Sequence, residues 1–361
     1  MSYIENVGVA CVALYCFYIF IHGFALVRSK SFKKQTKDQR VTIIVPFRNE
    51  RTTLPNLLTS FSKLSYPIEN FEVILINDQS DDGSESIDVS GYPINIKVVH
   101  STGEGKKAAI TQGVQLAVNE IIVQTDADCE VPENWLTYLL GSFPEYDMMC
   151  GSVAFSNSIW QNLELFSYQG IGMASAHMKS PNLCNAANLA YKKSIFIEVG
   201  GFEDNISTSS GDDVFLLRNF SKANKKIGYS LNPRCCVQTK AETSLFGYFN
   251  QRVRWASKTK KGQKYDTVLA GVLVFLVNVF VLVEAIDIAI HGLETPIGLI
   301  ALASKFAIDI LFLFLIAQRM KNYLPLLYFP IATPWYSLYI VLVVLLSVFY
   351  RPKWKNRKIQ I

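Results

Sequence analysis

The sequence predicts an α/β fold: a doubly wound, Rossmann-like sheet in a soluble domain that lies between membrane segments. Between residues 41 and 124, short apolar runs alternate with helical patterns, a rhythm typical of parallel sheets covered on both faces. Polar loops rich in Asp follow several of these runs. Long apolar stretches occur near both ends, and only 18% of the residues are charged, whereas soluble domains carry about a quarter.

The elements of the soluble domain follow from their periodicity. Residues 41–46 (VTIIVP) are a continuous apolar run, as expected for a strand buried on both faces. Over residues 51–64, Leu and Phe recur at helical spacing. The later elements are predicted to be strands at 71–76, 94–99 and 120–124 and a helix at 106–118.

The first membrane segment is predicted at residues 7–27, which are apolar apart from His22 and long enough to cross a bilayer, which takes about 20 residues. Glu5 precedes the run, whereas Arg28 and further basic residues as far as Arg40 follow it. Basic residues favour the cytoplasmic side, and a cleaved signal would carry them before the apolar run. We therefore expect an anchor with its N-terminus outside the cell.

The C-terminal membrane region holds two predicted spans, 268–290 and 296–317, and a third apolar stretch, 324–350, interrupted by three prolines. Three full crossings would place the basic tail, 351–361, outside, against the charge rule. We therefore expect residues 324–350 to form a proline-broken re-entrant or interfacial hairpin that leaves the tail in the cytoplasm. A plain third crossing with an external tail is the alternative.

These segments predict a multi-pass protein of the cell (inner or plasma) membrane with a cytoplasmic soluble domain. The expected divisions are an anchor at 1–28, the soluble domain at 41–265, membrane segments at 266–350 and the tail at 351–361.

Charged residues within the predicted spans are costly in lipid, by roughly 2.5–3.5 kcal/mol each on insertion scales. Lys305 and Asp309 are four residues apart and therefore share a helix face. Glu284 lies in the preceding span. We expect Lys305 to pair with Asp309, Glu284 or both.

The candidate site begins at Asp126 and Asp128, which directly follow the strand predicted at 120–124. Ligands of open α/β sheets bind at the carboxyl ends of the strands. Two carboxylates on one loop suit Mg²⁺ or Mn²⁺ that already carries a diphosphate. The alternative is that both residues are ordinary turn formers.

Other loops should share this rim. Asp78 follows the second strand, where a carboxylate can accept hydrogen bonds from a nucleobase or a ribose. Lys106 begins a helix after Gly103-Glu104-Gly105, where a Lys can reach phosphate oxygens, although it could also be a solvated surface residue. Asp81 and Asp82 are more typical of turn or helix-capping residues.

Together these motifs resemble the inverting family-2 glycosyltransferases of the GT-A fold. The resemblance rests on VTIIVPFRNE, VILINDQSDDGS, GKKAAITQG, VQTDADCEVPENWL and NAANLAYKKSIFIEVGGFED, in that order. Ser210-Gly211-Asp212-Asp213 resembles the family's acidic pair, and Gln251-Arg252-Val253-Arg254-Trp255 matches its Q-x-x-R-W motif. The flanking membrane segments fit the membrane-integral branch, which includes ceramide-glucosyltransferase-like and polysaccharide-synthase-like enzymes.

The resemblance implies that a sugar is transferred from a nucleotide-sugar donor to a hydroxyl of a membrane-associated lipid or glycan, with inversion at the anomeric carbon. We expect the donor to be a UDP-sugar. It implies Asp213 as the catalytic base, and a divalent cation, Mg²⁺ or Mn²⁺, at Asp126 and Asp128. The nucleotide-binding residues would be Pro46, Glu50, Asp78, Lys106 and Asp126, and the residues for the acceptor or diphosphate would be Asp212, Gln251, Arg254 and Trp255. Asp212 also suits a helix N-cap.

Several alternatives are open. Leu183-Cys184-Asn185 stands where processive synthases carry a small-residue Cys-Gly motif, which weakens the case for a processive polysaccharide synthase. A polyprenyl-phosphate glycosyltransferase and a catalytically silent membrane scaffold are the others. Arg252, Arg254 and Lys258 could merely bind lipid headgroups. The expected partners are a nucleotide-sugar donor, a lipid or glycan acceptor and membrane lipids; nothing indicates a nucleic acid.

Overall fold

The computed structural model describes residues 3–29, 34, 39–206, 211–257, 265–292, 296–350, 353–354 and 357–358. Ser210, Lys258 and most of the basic tail lie outside these residues. The described residues divide into two compact units. The sheet unit comprises the described parts of Ser29–Ser158 and Ile171–Ala241, and the helical unit those of Met1–Arg28, Ile159–Gly170 and Glu242–Lys358. The segment expected to be one soluble domain, 41–265, thus contributes to both units.

The strands of the sheet unit are β1 Val41–Phe47, β2 Phe71–Asn77, β3 Ile96–His100, β4 Ile121–Gln124, β5 Met148–Gly151, β6 Val153–Phe155, β7 Leu189–Lys192, β8 Ile227–Ser230 and β9 Val237–Thr239. Among the described residues, seven of them form one sheet in the order β3-β2-β1-β4-β7-β5-β8. β1 runs parallel to β2 and β4, whereas β7 is antiparallel to β4 and β5. In this parallel half, the carboxyl ends of β1, β2 and β4 lie at one edge of the sheet, where ligands of such folds bind.

The helices of this unit are α2 Leu54–Ser62, α3 Lys106–Leu116, α4 Trp135–Leu139, α6 Lys193–Glu198 and α7 Asp212–Lys222, and α5 Asn162–His177 begins in the helical unit. Every residue of β1 is buried, as its continuous apolar run predicts. Leu54, Leu57, Leu58 and Phe61 of α2 join the same core. The α/β, Rossmann-like fold class is therefore confirmed.

A buried asparagine, Asn188, joins three other residues of the sheet unit by hydrogen bonds. Asn188 is fully buried, and its Oδ1 accepts a hydrogen bond from Trp135 Nε1 at 2.9 Å. Its Nδ2 donates to the carbonyl oxygens of Ser152 and Cys235, both at 2.7 Å. Because three hydrogen bonds satisfy one side chain away from water, Asn188 stabilises this region despite its polarity.

The helical unit contains α1 Tyr3–Arg28, the first part of α5, α8 Leu245–Ser257, α9 Tyr265–His291, α10 Pro296–Met320 and α11 Phe329–Phe349, followed by the two-residue strands β10 Lys353–Trp354 and β11 Arg357–Lys358. Within the described part of the chain, four helices are long and apolar enough to cross a membrane: Glu5–Arg28, Tyr265–His291, Pro296–Met320 and Leu324–Phe349. One lies at the N-terminus and three follow the sheet unit, as the fold class predicts.

Contacts between these helices give their relative directions. Gly8 of α1 lies against the ring of Phe280 in α9, where a Cβ would fall 2.0 Å from Cδ2. Val12, further along α1, packs with Val277, so α1 and α9 are antiparallel. Arg319 Nη2, at the end of α10, donates to the Leu26 carbonyl at the end of α1 at 2.6 Å. α1 and α10 therefore end on the same side of the bundle.

After α10 the chain turns back along that helix. Tyr323 packs on Phe314 with ring centroids 5.8 Å apart, and Phe329, the first residue of α11, packs on Phe306 at 4.7 Å. Since Phe306 lies in the first half of α10, the 3-10 turn Leu324–Tyr328 carries the chain back into the bundle. α11 thus begins far from the end of α10.

The course of α11 leads back to the side on which α10 ends. Tyr339 Oη donates to Glu164 Oε1 of α5 at 2.8 Å. In the same part of α5, Gly170 faces Ile316 near the end of α10, where a Cβ would lie 2.3 Å from its Cδ1. Within the helical unit, α11 thus runs back towards the end of α10. This course agrees with the expected re-entrant path, which stays a prediction, because the length of Leu324–Phe349 also fits a full crossing.

α11 is continuous although it contains two prolines. Pro330 lies at the start of the helix, where its missing N–H removes no intrahelical hydrogen bond. Pro334 lies within the helix, and the helix nevertheless continues to Phe349. The expectation that the prolines break this segment is therefore wrong for Pro330 and Pro334.

The predicted intramembrane ion pair is confirmed. Lys305 Nζ lies 2.7 Å from Asp309 Oδ2, and the Lys305 side chain is only 6% exposed. Tyr15 Oη of α1 donates to the other carboxylate oxygen of Asp309 at 2.7 Å. The pair therefore joins α10 to α1 and satisfies groups that would be costly in lipid.

The Asn188→Ala substitution should destabilise the protein by about 2–5 kcal/mol, because it leaves a buried indole N–H and two carbonyls without their partner. The midpoint of thermal unfolding of the full-length protein in detergent should fall by about 5 °C or more. Asn185→Ala, which removes one bond from Ala187 N, is the matched control with a smaller effect. Equal midpoints for the two variants would contradict the role of Asn188.

The re-entrant path predicts that a tag after Ile361 and a tag inserted at the exposed Lys34 lie on the same side of the membrane. In sealed vesicles, protease should digest both tags or neither. A tag at Gly292, between α9 and α10, should behave in the opposite way. Different fates for the first two tags would contradict the path of α11.

Candidate active site

Two loops at the carboxyl ends of β1 and β2 hold each other by hydrogen bonds. Asn49 Nδ2 donates to Asp81 Oδ1 at 2.6 Å, and Asp81 N donates back to Asn49 Oδ1 at 2.9 Å. Arg51 N and Ser84 N donate to the carboxylate of Asp82 at 3.0 and 2.9 Å. Asp81 and Asp82 therefore serve the loop structure, as their turn-forming tendency predicts.

Asp78 connects the loop after β2 to the start of α3. Its side chain is 2% exposed, and Oδ1 accepts a hydrogen bond from Gly105 N at 2.8 Å. Gly105 has φ +93°, a conformation that favours glycine. Through this bond, Asp78 positions the helix residue that follows, Lys106.

Lys106 bridges two carboxylates from distant parts of the chain. Its Nζ lies 2.6 Å from Asp126 Oδ1 and 2.9 Å from Asp212 Oδ2. Burial would lower the pKa of Lys106, but the two carboxylates outweigh it and raise that pKa. Lys106 is thus a charged member of the site, and the alternative of a solvated surface lysine does not hold.

Asp212 and Asp213 begin α7. The N-cap is Gly211, with φ +88°, so Asp212 lies in the first turn and does not cap the helix with its side chain. Both carboxylates are buried, 6% and 8% exposed, at the end of the helix where the macrodipole favours negative charge. Gln124 Nε2 of β4 also donates to Asp212 Oδ2 at 3.2 Å.

The carboxylates after β4 can supply part of a metal site. The side chain of Asp126 is 32% exposed and Asp128 is exposed. Among the described residues, no group of three or more His, Cys, Asp or Glu side chains is placed to hold a metal ion. One or two carboxylates together with substrate phosphates are nevertheless how Mg²⁺ is usually bound, so this oxygen donor set fits a cation that arrives with a diphosphate.

Two other predicted nucleotide-binding residues lie on the first loop and strand. Pro46 is buried within β1, so it contributes to the strand itself. Glu50 is half-buried at the loop, where its backbone N lies 3.4 Å from Ser84 Oγ and its carboxylate accepts from Thr53 Oγ1.

The sequence did not single out a basic pair around Phe215 of α7. Lys107 Nζ lies 4.3 Å from the centre of the Phe215 ring, and Arg218 Cζ lies 5.3 Å from it. Both basic side chains are buried. Burial lowers the pKa of Arg218, while the charge of Asp213 opposes that shift. The available signal was the i, i+3 spacing of Phe215 and Arg218 just after the acidic pair.

Gln251, Arg254 and Trp255 lie close together on α8 in the helical unit and are half-buried. Arg252 between them is 2% exposed, and its Nη2 lies 2.7 Å from Glu164 Oε2. The alternative in which Arg252 binds lipid headgroups is therefore wrong, because its charge is already paired inside the protein.

Comparisons with known proteins show the family to which the chain belongs. The model of glycosyl transferase family 2 matches residues 42–199, and that of glycosyl transferase family group 2 matches residues 121–351. The chain is 26% identical over 255 residues to poly-beta-1,6-N-acetyl-D-glucosamine synthase of Staphylococcus epidermidis, which covers 66% of this chain and 60% of that protein. It is 25% identical over 198 residues to glycosyltransferase AglE of Haloferax volcanii, which covers 53% of this chain and 63% of that protein. The chain therefore spans less than two thirds of the length of these curated relatives.

The fold is similar to that of mannosyltransferase PcManGT from Pyrobaculum calidifontis in complex with GDP-Man and Mn²⁺. The TM-score is 0.60 at 18% identity, over 96% of this chain and 99% of that chain. At this identity the likeness concerns the fold alone. Since the group 2 model matches well over half of the chain, the protein belongs to glycosyl transferase family group 2, with the GT-A fold and, in the part of the chain that the structure describes, four helices long and apolar enough to cross a membrane.

Proposed function

We propose that the protein transfers a sugar from a nucleotide-sugar donor, a UDP-sugar in the first instance, to a hydroxyl of a membrane-associated lipid or glycan, with inversion at the anomeric carbon. One observation carries the proposal: the ammonium of Lys106 holds Asp126, after β4, beside Asp212, at the start of α7. Residues far apart in the sequence thereby form one acidic site at the carboxyl end of the sheet.

Asp213 acts as the base in this proposal. The acceptor hydroxyl gives its proton to the Asp213 carboxylate while its oxygen bonds to the anomeric carbon, and the bond from that carbon to the diphosphate breaks. Such general-base help is typically worth about 10²–10⁴-fold in rate. Asp213 Oδ1 accepts a hydrogen bond from Val214 N at 2.8 Å, which orients the carboxylate.

Asp126 and Asp128 would hold a divalent cation, Mg²⁺ or Mn²⁺, together with the diphosphate. When bound, the cation offsets the negative charge that develops on the leaving group. Lys106 adds a fixed positive charge beside Asp126, and Asp78 keeps that lysine in place through Gly105. A solved protein of this fold, PcManGT, is described with GDP-Man and Mn²⁺, which supports the metal.

Gln251, Arg254 and Trp255 would serve the diphosphate and the acceptor. A guanidinium can bind phosphate oxygens through two parallel hydrogen bonds, and an indole offers a flat apolar surface to a sugar or lipid. We further propose that the sheet unit faces the cytoplasm, because the basic residues between α1 and β1 favour that side.

Processive synthesis of a polysaccharide is the second candidate. It is favoured by the similarity to poly-beta-1,6-N-acetyl-D-glucosamine synthase, whereas the Leu183-Cys184-Asn185 segment favours the addition of one or a few sugars. The length of the product made by membranes that contain the protein distinguishes the two: a polymer supports processive synthesis, and a singly glycosylated product supports the first candidate.

Asp213→Asn should lower sugar transfer by about 10²–10⁴-fold while nucleotide binding is retained, because the amide keeps the shape of the side chain but cannot take the proton. Release of nucleoside diphosphate from UDP-glucose, UDP-N-acetylglucosamine or GDP-mannose in membranes measures transfer, and titration calorimetry measures nucleotide binding.

Asp88→Asn is the matched control, because the Asp88 carboxylate bonds Ser90 at the surface and belongs to no part of the proposed site. It should turn over substrate at the wild-type rate. Undiminished transfer by Asp213→Asn would contradict the assignment of the base.

Removal of divalent cations with EDTA should abolish transfer, and Mn²⁺ or Mg²⁺ should restore it. In Asp128→Asn, the metal concentration for half-maximal rate should rise by about tenfold or more, because one of the oxygen ligands loses its charge. Full activity of the wild type in excess EDTA would contradict the proposed metal.

A further inference from the structure

A buried arginine lies at the centre of the Q-x-x-R-W segment of α8. The Arg252 side chain is 1% exposed. Its Nε and Nη2 donate to Glu164 Oε2 at 2.9 and 2.7 Å, and Nη2 also donates to Gln161 Oε1 at 3.2 Å. Gln161 directly precedes α5 and Glu164 lies in its first turn, both within the same helical unit, so the guanidinium links α8 to the start of α5.

The same guanidinium contacts two residues that we assign to the diphosphate and acceptor. Arg252 Nη1 donates to Gln251 Oε1. Its Cζ lies 4.7 Å from the centre of the Trp255 ring and 4.2 Å from that of Tyr248. The contact with Gln251 directs the amide oxygen towards Arg252 and leaves the NH₂ group to point elsewhere. The contact with Trp255 fixes one face of the indole.

Glu164 extends this arrangement to the re-entrant helix. Its second oxygen, Oε1, accepts a hydrogen bond from Tyr339 Oη of α11 at 2.8 Å. Tyr339 also packs on Tyr248, with ring centroids 5.3 Å apart, and Val253 and Val343 join the same apolar cluster. One carboxylate thus links the orientation of α8 to the membrane helix α11.

We propose that Arg252, Glu164 and Tyr339 form a positioning network that holds Gln251 and Trp255 in the orientation needed for transfer, so that the re-entrant helix sets the geometry of the acceptor and diphosphate residues. This inference deepens the proposed function and rests on it. Arg252 touches no reacting atom in this account; it acts through its two neighbours.

The chemistry of the network requires a guanidinium. Arg252 uses Nε and Nη2 for Glu164, Nη2 also for Gln161 and Nη1 for Gln251. Its guanidinium also lies against the rings of Tyr248 and Trp255. A lysine ammonium keeps the charge but has neither the planar fork nor the flat faces that make these contacts. Arg252→Lys should therefore keep the ion pair with Glu164 while releasing Gln251 and Trp255.

The test compares Arg252→Lys, Glu164→Gln and Tyr339→Phe in the full-length protein, with Mn²⁺ and the donor that the wild type turns over among UDP-glucose, UDP-N-acetylglucosamine and GDP-mannose. Turnover is expressed per folded molecule, counted by size-exclusion chromatography in detergent. kcat should fall by about 10- to 100-fold in Arg252→Lys and Glu164→Gln, because a small misplacement of substrate-positioning groups has effects of that size. Tyr339→Phe, which loses one hydrogen bond, should lose about 3- to 10-fold.

The donor KM gives a readout that a purely structural role would not produce. It should stay within about threefold of the wild-type value in Arg252→Lys, because Asp78, Lys106 and Asp126, which we assign to the nucleotide, and Arg254, whose guanidinium we assign to the diphosphate, are unchanged. Ser337→Ala is the matched control: Ser337 Oγ, also on α11, donates one hydrogen bond to Asn278 Oδ1 at 2.9 Å and has no link to Arg252. Its turnover should equal that of the wild type.

Three results would overturn the network. The first is a wild-type kcat per folded molecule in Arg252→Lys, whether or not its unfolding temperature is lower. The second is a loss of turnover in Ser337→Ala equal to that in Tyr339→Phe. The third is a rise in the donor KM of Arg252→Lys that accounts for its whole loss of turnover. Asp213→Asn, measured alongside, separates this inference from the proposed function. If the wild type transfers sugar, Asp213→Asn does not and Arg252→Lys does, then the network alone is wrong.

Discussion

The salt bridge of Lys106 with Asp126 and Asp212 is the interaction on which the rest of the site depends. Three carboxylates, those of Asp126, Asp212 and Asp213, lie in the same region with limited access to water. Neighbouring carboxylates repel one another strongly when they are desolvated. The ammonium of Lys106, held between Asp126 and Asp212, offsets that repulsion. The bridge also fixes the loop after β4 against the start of α7, and thus joins the loop that carries the carboxylates proposed for the metal to the helix that carries the proposed base.

The helical unit also pairs its buried polar and charged side chains with one another. Its helices carry polar groups that lipid cannot satisfy, and the structure pairs them within the unit: Lys305 with Asp309 and Tyr15, Asn278 with Ser337, and Arg252 with Glu164. Each set joins two different helices, the first through the hydrogen bond from Tyr15 of α1 to Asp309, so satisfying the polar group also sets the packing. The hydrogen bond from Tyr339 to Glu164 likewise joins α11 to α5.

The sequence predicted the fold class and the parallel half of the sheet because continuous apolar runs such as residues 41–46 leave few alternatives. It also placed Asp78, Lys106 and Asp126 correctly at the rim, since the carboxyl ends of parallel strands share one edge. The hydrogen bond from Gly105 N to Asp78 is a long-range contact that no local pattern encodes, and the contact of Asp78 with the nucleotide stays a prediction. Sequence periodicity likewise cannot show that Asn188 accepts a hydrogen bond from the Trp135 indole N–H.

The role of Arg252 could not be predicted for a similar reason. Its partner Glu164 lies far away in the sequence, and a basic residue shortly before a membrane helix is typical of headgroup binding. The path of residues 324–350 was predicted from the basic tail rather than from the helix itself, because length and apolarity fit a crossing equally well. Long-range contacts, which the sequence does not record, fix the partner of Arg252 and the course of α11 within the helical unit.

A structure of the full-length protein with Mn²⁺ and a non-hydrolysable analogue of the donor it turns over tests the central claim most directly. The account predicts a metal-bound diphosphate at Asp126 and Asp128, beside Lys106, with the anomeric carbon facing Asp213. Nucleotide density in another part of the sheet unit, or a sugar on the side away from Asp213, would contradict it.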